Sequence, residues 1–173
     1  VPGTATEHED GPASAYYYEW TKLSGSAETL TFYDQFKKEV RTVNPGFDGT
    51  KIFTDKEYYG NVNILTGLMS RSSNPYYLSD GPFWTNMDYD IFRRVKQIDK
   101  PDGSSETSTY SGNTKTVAMF DGQTKVMEYN GAGGLTKITD NNDAVTEYIH
   151  RSDGLIEDIV INGQQAHKIH ITL

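Results

Sequence analysis

Acidic side chains, 24 in all, are the most abundant groups in this chain that could do chemistry. Two of them flanking a glycosidic bond could cleave it, one kept protonated as acid and the other ionised as nucleophile or base. Their contexts point to turns instead. Asp48, Asp102 and Asp153 each precede a glycine. That pairing suits a tight turn, because Asp bonds nearby backbone and glycine accepts positive φ. Asp140-Asn141-Asn142-Asp143 offers oxygen ligands for calcium, but it lacks the loop length, glycine and terminal bidentate glutamate of an EF-hand and reads as a hairpin loop. His167 and His170 would point to opposite faces of a strand, which separates them as metal ligands. His8 and His150 have no partner that sequence identifies. Gly131-Ala132-Gly133-Gly134 is not followed by the Gly-Lys-Ser/Thr of a phosphate loop and reads as a turn. There is no Gly-x-Ser-x-Gly elbow, and the absence of cysteine removes thiol nucleophiles, zinc–thiolate sites, iron–sulfur clusters and disulfides. The expectation is a chain that is not an enzyme, with no metal and no cofactor.

Recognition has one better candidate. The stretch 70–84 carries Tyr76, Tyr77, Phe83 and Trp84, aromatics able to stack on sugar rings or anchor a protein partner. The plainer reading is that they cover the core or an edge of a sheet.

The elements that would position these residues are strands. Apolar residues make up 35% of the chain and aromatics 12%, with 12 tyrosines, so the core is expected to be aromatic. Frequent Gly, Thr and Tyr favour strands and turns. From Thr85 onward, short alternating runs are separated by Gly, Asn and Asp clusters, as successive hairpins require. Residues 34–43 place Phe36, Val40 and Val43 at helical spacing, but the run is short and ends in Asn44-Pro45-Gly46, so it reads as turn and strand. Residues 1–15 lack apolar periodicity and read as a flexible arm. A β domain is expected over 16–173, with an insertion at about 70–84.

The net charge of −8 disfavours nucleic acid and anionic lipid, both of which need clustered Lys and Arg. No apolar run approaches the roughly 20 residues that span a bilayer as a helix, so no membrane insertion is expected. Val1-Pro2-Gly3-Thr4 has no signal-like character, and Ile169-His170-Ile171-Thr172-Leu173 stops within a strand-like run; the expectation is a piece of a longer protein.

Tyrosines set an internal register, with Tyr89, Tyr110, Tyr129 and Tyr148 recurring about every 20 residues. Tyr89-Asp90-Ile91-Phe92-Arg93-Arg94-Val95 is echoed by Tyr129-Asn130-Gly131-Ala132-Gly133-Gly134-Leu135 and, more loosely, by 148–155. Ile98, Ile138 and Ile159 follow as strand residues, then turns at Pro101-Asp102-Gly103, Asp140-Asn141-Asn142-Asp143 and Asn162-Gly163. Tyr33-Asp34-Gln35-Phe36-Lys37-Lys38-Glu39-Val40 repeats the grammar earlier, with a shortened copy at Tyr58-Tyr59-Gly60-Asn61-Val62. Each unit is expected to be a hairpin in which Asp or Asn bonds the turn backbone and the tyrosines form a ladder. Val95 and Ile98, like Leu135 and Ile138, would face opposite sides of an unbroken strand, so a bulge or two buried faces is required.

Tyr-Asp-x-x-x-Arg-Val followed by Pro-Asp-Gly, over 89–103, resembles the YD repeat of the Rhs and YD-repeat family. The resemblance extends over about 16–173 and excludes the first fifteen residues. Tyr110-Ser111, Tyr148-Ile149 and Tyr58-Tyr59 depart from it by lacking the Asp. It implies consecutive antiparallel hairpins forming one curved or spiralling all-β sheet, part of a shell in a large exported bacterial protein. Similar repeats occur in insecticidal toxin complexes, but no protease core or toxin-like terminal segment is visible here.

The resulting expectation is a non-catalytic structural segment of a secreted or cell-surface protein. Its repeat-defining residues are Tyr33, Asp34, Tyr89, Asp90, Tyr110, Tyr129, Asn130 and Tyr148. Its partners are other parts of the same larger polypeptide. The alternative is a glycan- or protein-binding module using Tyr76, Tyr77, Phe83 and Trp84.

Overall fold

Hairpin closure governs how this chain folds. In a computed structural model that describes residues 3–4, 8–22, 25, 28–60 and 64–168, every regular element is a β-strand and every described pairing is antiparallel. The expectations for Asn61, Val62 and the run 169–173, His170 included, fall outside the described residues; of His167 only the backbone is described, paired with Ile159.

The chain divides into two compact units, Val1–Arg94 with Asp99–Gly103, and Val95–Ile98 with Ser104–Leu173. The first contains β1 (Gly3–Thr4), β2 (Tyr17–Thr21), β3 (Thr29–Tyr33), β4 (Glu39–Pro45), β5 (Lys51–Tyr58), β6 (Met69–Ser73), β7 (Tyr76–Tyr77) and β8 (Trp84–Tyr89). They pair in chain order except for β7, which returns to pair with β5 while β6 pairs with β8. The second holds most of β9 (Val95–Asp99), then β10 (Ser105–Ser111), β11 (Thr114–Ala118), β12 (Thr124–Tyr129), β13 (Leu135–Asp140), β14 (Val145–His150), β15 (Ile156–Ile161) and β16 (Gln164–Lys168), an uninterrupted meander from β10 onward. In the stretch 70–84, β6 and β8 continue the ladder and only the β7 excursion lies off it.

The turns follow one plan. In 34–38, 90–94, 130–134 and 140–144 the fourth residue's N–H donates to the first residue's carbonyl, and the first residue's N–H donates to the fifth residue's carbonyl. This is the three-residue hairpin loop built from a type I turn and a left-handed bulge residue. The left-handed position is taken by Lys37 (φ 62°), Arg93 (φ 65°), Asp143 (φ 60°) and Gly133 (φ 83°). Where a non-glycine residue bears that strain, an Asp compensates: Oδ1 of Asp34 accepts the N–H of Phe36 and Lys38, Asp90 those of Phe92 and Arg94, and Asp140 those of Asn142 and Ala144. Asn130 does the same for Ala132 and Gly134. A second type uses the Asp of Asp-Gly: Asp48 accepts the N–H of Thr50, and Asp153 that of Leu155. The bulge that the Leu135/Ile138 spacing required lies at the strand end, with the register shifting at Glu128/Tyr129 opposite Leu135; equivalent shifts occur at Phe32/Tyr33 and Ile149/His150.

The core is small. In the first unit Phe32, Val40, Val43, Phe53 and Tyr76 are buried, flanked by Ala15, Tyr18, Leu30 and Tyr58. In the second, Val117 is the buried apolar residue among those described, and most side chains are half-buried. A sheet with so little buried area depends on backbone hydrogen bonds and turn geometry for its order. Gly103 (φ 84°) isolates that contribution, because an added Cβ there would meet nothing within 4 Å. Gly103→Ala is expected to destabilise the protein by about 1–2 kcal/mol through left-handed strain alone, read as a lower urea midpoint with an unchanged m value.

Candidate functional site

The tyrosines at strand ends share one piece of geometry. Tyr58 closes β5 and its hydroxyl donates to the carbonyl of Glu39, the first residue of neighbouring β4, at 2.9 Å. Tyr89 closes β8 and donates to Met69 O at the start of β6, at 2.9 Å. Tyr110, one residue from the end of β10, donates to Val95 O at the start of β9, at 2.9 Å. His150 closes β14 and sets Nε2 2.7 Å from Leu135 O at the start of β13. Each side chain ties the end of one strand to the beginning of its antiparallel neighbour, beside the turn. Burial, and secondarily the Glu39 carboxylate, pushes the Tyr58 hydroxyl up from its ordinary pKa; burial, then Tyr59, does the same for Tyr89. These hydroxyls are proton donors in structural bonds.

The ladder expected from tyrosine spacing is replaced by these clamps and a few local pairs. Tyr33 stacks on Tyr17 at 4.9 Å with planes 14° apart, and Tyr89 meets Tyr59 edge-on at 6.1 Å. Such pairs add roughly 0.5–1.5 kcal/mol each beyond buried area. Tyr148 is out of register: it lies within β14 opposite Ile159, and His150 occupies the turn-adjacent end that Tyr33, Tyr89 and Tyr129 occupy elsewhere. Counting tyrosines missed this histidine; alignment on the turn that follows would have found it.

The aromatics of 70–84 do not converge. Tyr76 is 5% exposed, a core residue whose hydroxyl donates to Asp55 Oδ2 at 2.8 Å. Arg41 grips the same carboxylate through Nε at 2.6 Å and Nη2 at 2.7 Å, and its Nη1 donates to Asp10 O at 2.9 Å. Ser73 Oγ accepts the Asp55 N–H. Burial, then the bond to Asp55, pushes the Tyr76 hydroxyl up to about 12. Trp84 is covered by the Arg71 guanidinium 4.2 Å from its ring centre, and Arg71 is itself paired with Glu57 at 2.8 Å. Tyr76 is therefore not a surface contact and one face of Trp84 is occupied. Tyr77 and Phe83 remain exposed. Tyr77 and Leu78 border an open depression of about 520 Å³ with Phe53, Lys51, Glu9 and Asp10.

The polar network also includes Asp10, and His8 packs beside it. Asp10 is buried and its Oδ2 accepts from Lys51 at 2.7 Å, while the His8 ring meets Tyr18 and Phe32 edge-on at 5.1 and 5.5 Å. β1 pairs with β2 at Tyr17 and Tyr18. Among the described residues, no three His, Asp or Glu side chains gather as a metal-binding set.

Consecutive antiparallel hairpins joined by bulged turns, with strand-end side-chain clamps, define a hairpin-repeat β-sheet. The crystal structure of TcdB2-TccC3-Cdc42 contains a similar sheet: it aligns over 88% of this chain and 10% of its own, with a TM-score of 0.61 and 12% identity. At that identity the likeness is one of fold. No family model matches the chain, and no curated protein matches it in sequence.

Two measurements test this geometry. Tyr58→Phe removes one clamp bond while keeping the ring, and is expected to cost about 1 kcal/mol in denaturant unfolding. Tyr76 binds its proton more tightly folded than unfolded, so its contribution is complete below pH ~10 and is lost as pH rises through about 12. Tyr76→Phe should therefore flatten the fall in stability over that alkaline window.

Proposed function

We propose that this chain is a non-catalytic structural segment of a larger secreted or cell-surface Rhs/YD-repeat protein, contributing hairpins to a β shell or scaffold whose other parts are its partners. The observation that carries the reading is the recurrence of one hairpin plan, turn and clamp together, at Asp34 with Tyr58, Asp90 with Tyr110, and Asn130 with His150. Repeats of that kind add rows to a sheet without converging polar groups on a reacting atom. The likeness to a chain of which the match covers 10% supports a part of a larger array. Exposed apolar residues at turn tips, Phe36, Phe47, Ile91 and Phe92, fit a surface that neighbouring chain would cover.

A segment of this kind should associate through its open sheet edges when isolated. The outer edge of β2 is paired with β1 only at Tyr17 and Tyr18 among the described residues. Sedimentation over a wide dilution series is expected to show reversible self-association. A monomer at every concentration, with a hydrolysed substrate found in a glycoside or peptide panel, would overturn the reading.

The exposed pair Tyr77 and Leu78 beside a charged depression favours a second reading, a glycan- or protein-binding module. Tyr77→Ala, which leaves the core and the Arg71–Trp84 contact intact, should then abolish capture on a glycan array or by a protein partner; unchanged capture removes this site.

A further inference from the structure

His150 stands at a clamp position that tyrosine holds at β5, β8 and β10, and the exchange changes what the clamp responds to. A tyrosine hydroxyl donates one bond and stays protonated throughout the neutral range. The His150 ring faces two acceptors. Nε2 lies 2.7 Å from Leu135 O, and Nδ1 lies 3.2 Å from Gly154 O in the turn that follows. Backbone carbonyls only accept, and a neutral imidazole carries a single N–H, so both contacts are hydrogen bonds only in the imidazolium form.

The turn it holds is differently equipped from those at Asp34, Asp90 and Asn130. Residues 151–155 have the same backbone plan, with Gly154 N–H donating to Arg151 O and Arg151 N–H to Leu155 O. Its first residue, however, is Arg151, which has no side-chain oxygen to gather the turn's N–H groups. Asp153 takes the N–H of Leu155, and His150 Nδ1 adds a side-chain contact to the turn backbone at Gly154 O. The same ring thus joins β13, the end of β14 and the 151–155 turn.

We propose that His150 is a proton-operated latch, closing the β14–β15 hairpin onto β13 when protonated and releasing one of its two anchor points when neutral. The charged groups on the surrounding elements are arranged to leave that decision to the carbonyls. Arg151 and Asp153 in the same turn are paired at 3.0 Å, and Lys137 on β13 is paired with Glu128 on β12 at 3.3 Å. Glu147 on β14, Asp140 on β13, and Glu157 and Asp158 on β15 are the other charges on these strands. The ring edge rests beside Gly134, next to the neutral Asn130 amide. The bonds to Leu135 O and then Gly154 O raise the His150 pKa above its ordinary value. Because the folded value is the higher one, the latch is complete below the ordinary imidazole pKa and is lost as pH rises through the raised one.

The test is an imidazole nitrogen titration of His150 by long-range ¹H–¹⁵N correlation in the full chain, alongside amide-exchange protection of Gly154 and Leu155 corrected for intrinsic rates. The expected result is a midpoint above the ~6.5 of an unperturbed imidazole, with protection falling at that same midpoint. His150→Tyr, which restores the residue type of the other clamps, should keep protection at Leu135's neighbours and make protection of 151–155 independent of pH across neutrality. An ordinary midpoint, a single protonated nitrogen at acid pH, or identical pH dependence in wild type and His150→Tyr would overturn the proposal.

Discussion

Reversing a strand within five residues forces one of them into left-handed backbone, and the rest of this structure is organised around that requirement. The chain meets it in two ways. Gly133 adopts the conformation without steric conflict, whereas Lys37, Arg93 and Asp143 adopt it under strain that a neighbouring Asp offsets by gathering two backbone N–H groups. A shift in strand register accompanies the turns at 34–38, 130–134 and 151–155, and this is where Tyr33, Tyr129 and His150 sit. Turn, bulge and strand-end aromatic are therefore one device, and the Tyr-Asp pair is its shortest sequence record.

The two units use this device against different backgrounds. The first adds a compact apolar cluster and a buried Arg41–Asp55–Tyr76 network, in which each ionised or hydroxyl group has hydrogen-bonding partners. Leaving any member alone in that setting would be costly, so the network fixes how β4, β5 and β7 meet and ties Asp10 to them. The second unit has Val117 and rows of half-buried side chains. Its order rests more heavily on ladder hydrogen bonds, turn closure and clamps, and a substitution such as His for Tyr at one clamp consequently matters more there.

The all-β class, the hairpin spacing and the turn role of Asp34, Asp90, Asn130 and Asp140 were legible in the sequence because they rest on local chemistry. An Asx side chain reaches backbone two and four residues away whatever the rest of the chain does. The recognition reading of 70–84 was less legible. Tyr76 and Tyr77 are adjacent in a strand and must face opposite sides, so one enters the core and the other meets solvent. Which one faces inward depends on β7 pairing back to β5, a non-local event that puts Tyr76 against Phe53.

By itself the sequence determined what repeats: short strands, the turn type between them, and an acidic composition poor in core-forming residues. The tertiary structure alone decided which carbonyl each strand-end side chain reaches, that His150 rather than Tyr148 holds the clamp position, and that Asp55 is bound by Arg41 and Tyr76. Local propensities act over a handful of residues, while these contacts join Tyr58 to Glu39, His150 to Leu135 and Arg41 to Asp55 across neighbouring strands, where only strand register sets which groups meet.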